Sequence, residues 1–344
     1  MKKIFCITGV TGQDGSYAAE ILTYQGCIVY GLSRNKNQRP KNLVNILHLK
    51  NFTLLETNYS EESLERIIKT KGVTHIMNFC GQSFVSKSWE LIEETIVSKA
   101  LIVSRLINII RKSKKEIRLI NACSSEIFGE SEYALNEDSN LSPCNPYGSA
   151  QLMAYTLTKS IRNYSKIWAC SAILFPHESL RRDDNFLFMR LLKQVDNIFN
   201  KKSQHITIGN DFVVRDWGFA VDYVYYMILI ILGDRPDDFC ICTNEGNSVK
   251  DFSQAICSEY ELNYDSHIKI DKLLSRSYEP NKVIGNNKKL LTHYKLSQPL
   301  KMKKVINKII MNRKRLMQLG NKIDRVDDYL NDIQLGKLTK LIEK

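Results

Sequence analysis
Three glycines, Gly9, Gly12 and Gly15, follow an apolar run at residues 3–8 and open a helical pattern at three-residue spacing. Glycine at such a place lets backbone turn tightly, approach a pyrophosphate and pack against a sheet, while the helix amino terminus offers unpaired N–H groups to the anion. The run therefore reads as a dinucleotide-binding turn, with Thr11, Gln13 and Asp14 assigned to the cofactor beside the glycines. A purely structural turn is the blander reading. Further on, Ser124 and Glu126 close an apolar segment. Two residues apart on a strand, they would share one side: a hydroxyl that can bond a ligand, and a carboxylate that can take a proton. Tyr147 opens a helical segment and brings a phenol to the same cleft. Arg182, Arg190 and Arg215 suit bidentate contacts with a diphosphate. Each has a plain alternative: Glu126 as a solvated loop acid, Tyr147 as a packed aromatic, the arginines as surface ion-pair members.

These side chains need a scaffold. Strand-like segments at 3–8, 27–33, 51–57, 74–81, 117–125 and 167–175 alternate with helical ones at 18–26, 61–72, 94–113 and 145–166. Such alternation predicts an α/β fold, a doubly wound parallel sheet of Rossmann type covered on both faces. Residues 1–175 form the dinucleotide-binding domain on this reading. After Pro176 the rhythm changes, and 176–312 is expected to be a smaller, mainly substrate-binding domain interleaved with the last strands of the sheet. Residues 313–344 read as a basic helical tail. Its loose stripe of Ile323, Val326, Leu330, Ile333, Leu338 and Leu341 would dock on the body or on another subunit.

Composition narrows the class. With 344 residues and 43% hydrophobic content, the chain can bury a substantial core. The longest apolar run, residues 223–232, is too short to cross a bilayer and reads as a buried helix, so no membrane partner and a cytoplasmic location are expected. Nine scattered cysteines indicate reduced thiols rather than a disulfide framework, and no metal-ligand spacing appears, so no metal is expected. Cys240 and Cys242 would share one strand face. The net charge is +12, and residues 301–344, with nine Lys and three Arg against four Asp and one Glu, hold +7 of it. That tail has a single aromatic, Tyr329, and no recognition motif, so a solvated helix surface is preferred to nucleic-acid binding.

The second strand bears on the cofactor. NAD usually requires a carboxylate at its end, for the ribose 2′-hydroxyl. Here it ends Gly31-Leu32-Ser33-Arg34-Asn35, without an acid. Ser33 and Arg34 suit a 2′-phosphate, which favours NADP over NAD. Otherwise Arg34 is a solvated loop residue.

At these residues the chain resembles the extended short-chain dehydrogenases/reductases, and among them the GDP-mannose 4,6-dehydratases. The resemblance rests on TGVTGQDGSYAAE at 8–20, SFVSKSWE at 83–90, ACSSEIFGE at 122–130 and SPCNPYGSAQ at 142–151. It continues through ILFPHESLRR at 173–182 and IGNDFVVRDWGFAVDYV at 208–224. These run in family order over about two-thirds of the chain and thin after Gly246. The resemblance implies that Ser124 bonds the sugar C4 hydroxyl, Glu126 is the general base and Tyr147 deprotonates that hydroxyl. Hydride would leave C4 for the nicotinamide, Glu126 would take the C5 proton, water would leave C6, and the hydride would return to C6. It also implies that Ser83 and Glu178 contact substrate, that His177 lies close to the nicotinamide, that Arg182 and Arg215 occupy family positions, and that the chain forms a homo-dimer or homo-tetramer.

The chain departs from the family pattern at Gln151. There the family carries a lysine one helical turn after the tyrosine, bonding the nicotinamide ribose and stabilising the tyrosinate by its charge. Tyrosine ordinarily ionises near pH 10, so an activated form needs a positive neighbour. Glutamine keeps the hydrogen bond to the ribose and lacks the charge. Lys159, three turns along, cannot reach. Further departures are Glu56-Thr57-Asn58 after the third strand, Phe84 after Ser83, and Pro176 before His177. The expected activity is a GDP-sugar 4,6-dehydratase. Alternatives are a C4 dehydrogenase, reductase or epimerase on a related GDP-sugar, and an impaired nucleotide-sugar-binding subunit docked through its tail.

Overall fold
Apolar strands that bury both faces alternate with helices that bury one, and in the computed structural model this pattern closes into a single parallel sheet. The structure describes residues 2–35, 41–274, 279–320 and 323–344. β1 (Ile4–Thr8), α1 (Gln13–Tyr24), β2 (Ile28–Ser33) and β3 (Phe52–Glu56) are followed by α2 (Glu61–Lys71) and β4 (His75–Asn78). Then come α3 (Ile92–Ile96), a π-helical turn (Val97–Leu101) and α4 (Ile102–Lys112), running on without a break. β5 (Arg118–Ser124), α5 (Pro146–Ser165) and β6 (Ala169–Leu174) complete the first half.

The chain then builds β7 (His177–Glu178), α6 (Leu187–Phe199), β8 (Ile206–Ile208), β9 (Val214–Arg215) and β10 (Gly218–Phe219). α7 (Ala220–Leu232) leads to β11 (Phe239–Ile241), and β12 (Asn247–Ser248), α8 (Val249–Glu259), α9 (Tyr264–His267), β13 (Ile268–Ile270), β14 (Lys282–Val283) and α10 (Lys288–Tyr294) follow. α11 (Met302–Gln318) and α12 (Asp332–Glu343) end the chain.

The main sheet has the order β11-β6-β5-β4-β1-β2-β3, every pairing parallel. The doubly wound α/β expectation is borne out. Alternate residues of β1 serve the two faces: Phe5 and Ile7 join the core with Tyr17 and Ile21 of α1, while Cys6 joins Leu64, Ile68 and Leu106 of α2 and α4. Crossovers bring Gly9, Ser124 and the residues after β6 to one edge, the carboxyl ends of the strands.

The apolar run at 223–232 lies in α7, every residue of which is buried, and among the described residues no helix is long and apolar enough to cross a membrane. The chain comes back to pair β11 beside β6, so the sheet's seventh strand lies far along the sequence. Cys240 and Cys242 are both buried against Cys123, Phe128 and Phe175. All nine cysteines are free; eight are buried and Cys144 is exposed.

The carboxyl-terminal region differs from the simple helical stripe the spacing predicts. α11 stops at Gln318, a 3₁₀ turn spans Val326–Asp328, and α12 starts afresh at Asp332 behind a capping box from Asn331. Val326, Leu330 and Leu338 are buried in the chain's own core, whereas Ile333 is 83% exposed. The stripe thus docks on the body, and the tail is not left free as a docking arm. Its anchor is polar. Asp324, fully buried, accepts from Arg181 Nε at 3.0 Å and from the Tyr17 hydroxyl. Arg181 also donates to Glu20 of α1 at 2.5 Å and to the Asp324 carbonyl at 2.8 Å, with its guanidinium 4.0 Å over the Tyr17 ring.

Removing one partner of a buried ion pair strands the other in a medium that solvates it poorly. Asp324→Ala should therefore lower the unfolding free energy by about 3–5 kcal/mol, read by urea denaturation. A loss within about 0.5 kcal/mol, typical of surface substitutions, would show that the tail is not held by this charge.

Candidate active site
The glycine turn contains little but backbone. Gly9 has φ +62°, and a Cβ there would lie 2.8 Å from the Phe79 carbonyl carbon. A Cβ on Gly15 would stand 2.4 Å from the Gly9 carbonyl oxygen. Gly12 is the amino-terminal cap of α1 and supplies no side-chain acceptor to the first turn, whose N–H groups remain for an anion. This glycine-lined cradle fits a dinucleotide pyrophosphate.

The neighbouring side chains serve another purpose. Gln13 accepts from the Ser179 hydroxyl at 2.9 Å and donates to the His177 carbonyl at 3.3 Å. Asp14 lies 3.0 Å from His177 Nε2, while His177 Nδ1 lies 2.6 Å from the Phe175 carbonyl. Burial pushes the Asp14 carboxyl up, but the charge and hydrogen bond of His177, with Arg182 farther away, hold it below the usual carboxylate range. Gln13 and Asp14 thus fasten the cradle to β7 by their side chains. Thr11 is held through its carbonyl by Asn42 at 3.1 Å. Arg34 is exposed just past β2. Tyr59, a residue the sequence reading passed over, reaches back to the Leu32 carbonyl at 3.0 Å and to the Gly9 N–H at 3.4 Å.

The second group gathers at the start of α5. β5 ends at Ser124, whose hydroxyl accepts from the Glu126 N–H at 3.3 Å and caps a 3₁₀ turn over Ser125–Ile127. Glu126 therefore lies on a turn, not on the strand as its spacing assumed. Ser124 and Glu126 are both half-buried, between the buried Cys123, Ser125 and Ile127. Asn145 donates to Glu126 Oε2 at 2.8 Å and accepts from the Gly148 N–H at 2.8 Å, so one side chain caps α5 and clamps the carboxylate. Pro146 follows at the first helical position, where its missing N–H costs nothing. Gly148 lets the helix sit on the turn, since a Cβ there would lie 2.4 Å from the Glu126 carbonyl oxygen. The backbone that carries Tyr147 is thereby set against the turn that carries Glu126. Gln151 donates to the Tyr147 hydroxyl at 3.0 Å, and both residues are buried. A buried lysine outside the sequence expectations, Lys99, lies with its ammonium 5.5 Å from the centre of the Tyr147 ring.

The remaining candidates line other walls. Arg182 stacks 3.7 Å over Phe186 and comes within 3.7 Å of Glu178, whose carboxyl burial pushes up against the pull of Arg182 and His177. Phe186 meets Phe84 edge-on at 5.4 Å, and Ser83 beside it is exposed. Arg190 is half-buried on α6. Arg215 is buried on β9, donating to the Val214 carbonyl at 2.8 Å and pairing with Glu279 at 3.4 Å. Burial pushes the exposed Cys144 thiol up, with the charge of Glu126 adding to the rise and that of Arg215 opposing it. Asp216 next to Arg215 faces away, accepting from Thr243, Asn244 and Gly285, and burial pushes it up to about 6.

Comparison with known proteins follows the same lines. The family model described as GDP-mannose 4,6 dehydratase matches residues 6–324. GDP-mannose 4,6 dehydratase 1 of Arabidopsis thaliana is 32% identical over 300 residues, covering 84% of this chain and 83% of the plant protein. The Vibrio cholerae GDP-mannose 4,6-dehydratase is 34% identical over 262 residues, with 73% and 70% covered. Among solved structures, UDP-glucuronic acid 4-epimerase from Bacillus cereus, in complex with UDP-glucuronic acid and NAD, superposes with a TM-score of 0.81. It is 18% identical and covers 92% of this chain and 100% of the epimerase. A dTDP-glucose 4,6-dehydratase from Bacillus anthracis in complex with NAD gives 0.80 at 15% identity, covering 92% and 98%.

A methyl group at position 15 has backbone in its way rather than a flexible side chain. Gly15→Ala should weaken binding of a nicotinamide dinucleotide at least about tenfold, a loss of about 1.4 kcal/mol, measured by fluorescence titration with NADPH. Gly336→Ala, where nothing lies within 4 Å, is the control. Equal affinity in both variants would place the pyrophosphate elsewhere.

Proposed function
The chain belongs to the GDP-mannose 4,6-dehydratase family, and from that premise we propose that it converts a GDP-mannose-like GDP-sugar to the 4-keto-6-deoxy sugar nucleotide. The observation that carries the reading is the clamped carboxylate: Glu126, held by Asn145, beside Tyr147. Redox at C4 alone needs no base at C5, so a positioned carboxylate favours dehydration over a dehydrogenase or reductase.

Tyr147 takes the proton of the C4 hydroxyl while the Ser124 hydroxyl bonds the same oxygen. A bound nicotinamide would supply the acceptor and donor of the hydride, so none would be consumed. Once C4 is a carbonyl, the C5 hydrogen is acidic, and Glu126 removes it. The C6 hydroxyl leaves as water with the proton that Glu126 took, and hydride at C6 with a proton at C5 would complete the 6-deoxy sugar. Arg182, Arg190 and Arg215 are assigned to the diphosphate and nucleotide, Ser83 and Glu178 to the sugar side, and His177 to the nicotinamide side, where Asp14 orients its ring. Gln151 bonds the ribose or the phenol. Arg34 and Ser33, with no acid at the end of β2, support NADP(H) as the dinucleotide. Exposed Ile92, Ile96, Val97, Leu101 and Met153 on α3, the π-turn and α5 support self-association as a dimer or tetramer.

Incubation with GDP-mannose and NADP(H), followed by mass spectrometry, should show loss of water from the sugar nucleotide. Glu126→Gln should slow that loss about 10²–10⁴-fold. An unchanged mass with cofactor bound would redirect the reading to C4 chemistry alone or to a binding role. Arg34→Ala should weaken NADPH on the order of tenfold or more and leave NADH unchanged. Equal effects on both would remove the 2′-phosphate assignment.

A further inference from the structure
Lys99 occupies an unusual place for a lysine. It lies in the middle of the π-helical turn between α3 and α4, and only 7% of it is exposed. The wider turn rotates the helix so that Lys99 and Ala100 both point inward, while Ile96, Val97 and Leu101 point outward. Its ammonium donates to the Cys80 carbonyl at 3.1 Å, and among the described residues no carboxylate pairs with it. Three N–H donors thus have one acceptor, and the charge faces the Tyr147 ring at 5.5 Å.

The backbone makes room for this side chain. Gly81 has φ +111°, and a Cβ there would come within 2.8 Å of Lys99 Cδ and 2.9 Å of Cε. Only glycine leaves the lysine stem a path. Burying an ammonium without a carboxylate is costly, and the phenol it overlooks is a partner that can use such a charge.

We propose that Lys99 supplies, from the wall opposite α5, the positive charge that readies Tyr147 to act as a base, the task that neutral Gln151 cannot perform from α5. The consequence for turnover rests on the dehydratase reading; the effect on the phenol does not. Lys99 acts through Tyr147 and is a positioning residue in this sense. Gln151 contributes a hydrogen bond to the phenolic oxygen at 3.0 Å, which also favours the ionised form. The other titratable or charged groups on elements packed around Tyr147 are few. Glu126 follows β5 and Cys123 lies on it, Cys80 follows β4, Lys87 lies over Phe84, Arg105 of α4 binds the Tyr59 carbonyl, and Glu93 and Glu94 on α3 are exposed. Glu126 opposes ionisation, and Lys99 is the cation that stands over the ring to favour it. On ionisation the phenol proton goes to solvent; in turnover the phenolate takes the proton of the sugar hydroxyl.

The test is a spectrophotometric titration of tyrosinate in the purified chain, with the Tyr147→Phe titration subtracted to isolate one phenol. Lys99→Met should raise the pH of that phenol's transition by about one to two units relative to wild type. Lys99→Arg should keep most of the wild-type position. Gln151→Lys added to Lys99→Met should restore it. Superimposable wild-type and Lys99→Met titrations would overturn the proposal, as would a lowered melting temperature without a shift. Should Lys99→Met fail to fold, Lys99→Gln against Lys99→Arg gives the same comparison. The titration needs no sugar nucleotide, so absence of water loss from GDP-mannose would count against the dehydratase reading while leaving this result standing.

Discussion
One buried guanidinium holds the two halves of the cleft in register. Arg181, just past the strand β7 that carries His177 and Glu178, reaches Glu20 on the helix that follows the glycine cradle and Asp324 from the far end of the chain. Each carboxylate has a further duty: Glu20 accepts from the Val326 N–H at 3.0 Å, and Asp324 accepts from the Tyr17 hydroxyl. Asn45 donates to both Glu20 and the Asp324 carbonyl. An apolar core would tolerate sliding of α1 against that loop. A buried charge that must keep every partner does not. The glycine cradle and the His177–Glu178 strand are thereby locked to one geometry, and the tail closes the lock from outside.

The same economy appears at the start of α5. Asn145 could cap the helix without touching Glu126, and Glu126 could sit on its turn without Asn145. Joined by one amide, the cap and the carboxylate fix where the phenol stands relative to the base. The close approach over Gly148 sets the remaining distance. Geometry of this kind comes from a helix terminus and a tight turn, both of which lose their shape if a single hydrogen bond is lost.

Much of this was legible in the residues. Strand, three glycines and helix announced the cradle, because only backbone can line a pyrophosphate site so closely. Alternating strands and helices announced the parallel sheet. What stayed hidden was decided over long distances or by one bond. Ser124 caps a 3₁₀ turn, so two-residue spacing placed Glu126 on a strand that had already ended. Arg181 and Arg182 are neighbours in sequence, and nothing local tells which is buried in an ion network and which stacks over Phe186. The tail's stripe suggested one helix because its apolar period ignores the break after Gln318, and Asp324 looked like any surface acid. Lys99 left a trace that went unread: it stands four residues after Thr95 and four before Val103, on the buried side of the helix with Ala100 and Leu106.

The placement of that lysine shows which part of a catalytic arrangement chemistry fixes. A phenol that must ionise near neutral pH needs positive potential at its oxygen and ring; it does not need that potential from one residue. A cation one turn along the same helix holds a rigid distance, since both groups ride one backbone. A cation on the facing wall acts through the packing of α3, the π-turn and α4 against α5, so its influence depends on that interface staying closed. The exposed apolar surface of Ile92, Ile96, Val97 and Leu101 lies on the back of the same π-turn segment. On the proposal for Lys99, the electrostatics of the Tyr147 phenol and the integrity of a helix interface become one property, where a same-helix cation would keep them separate.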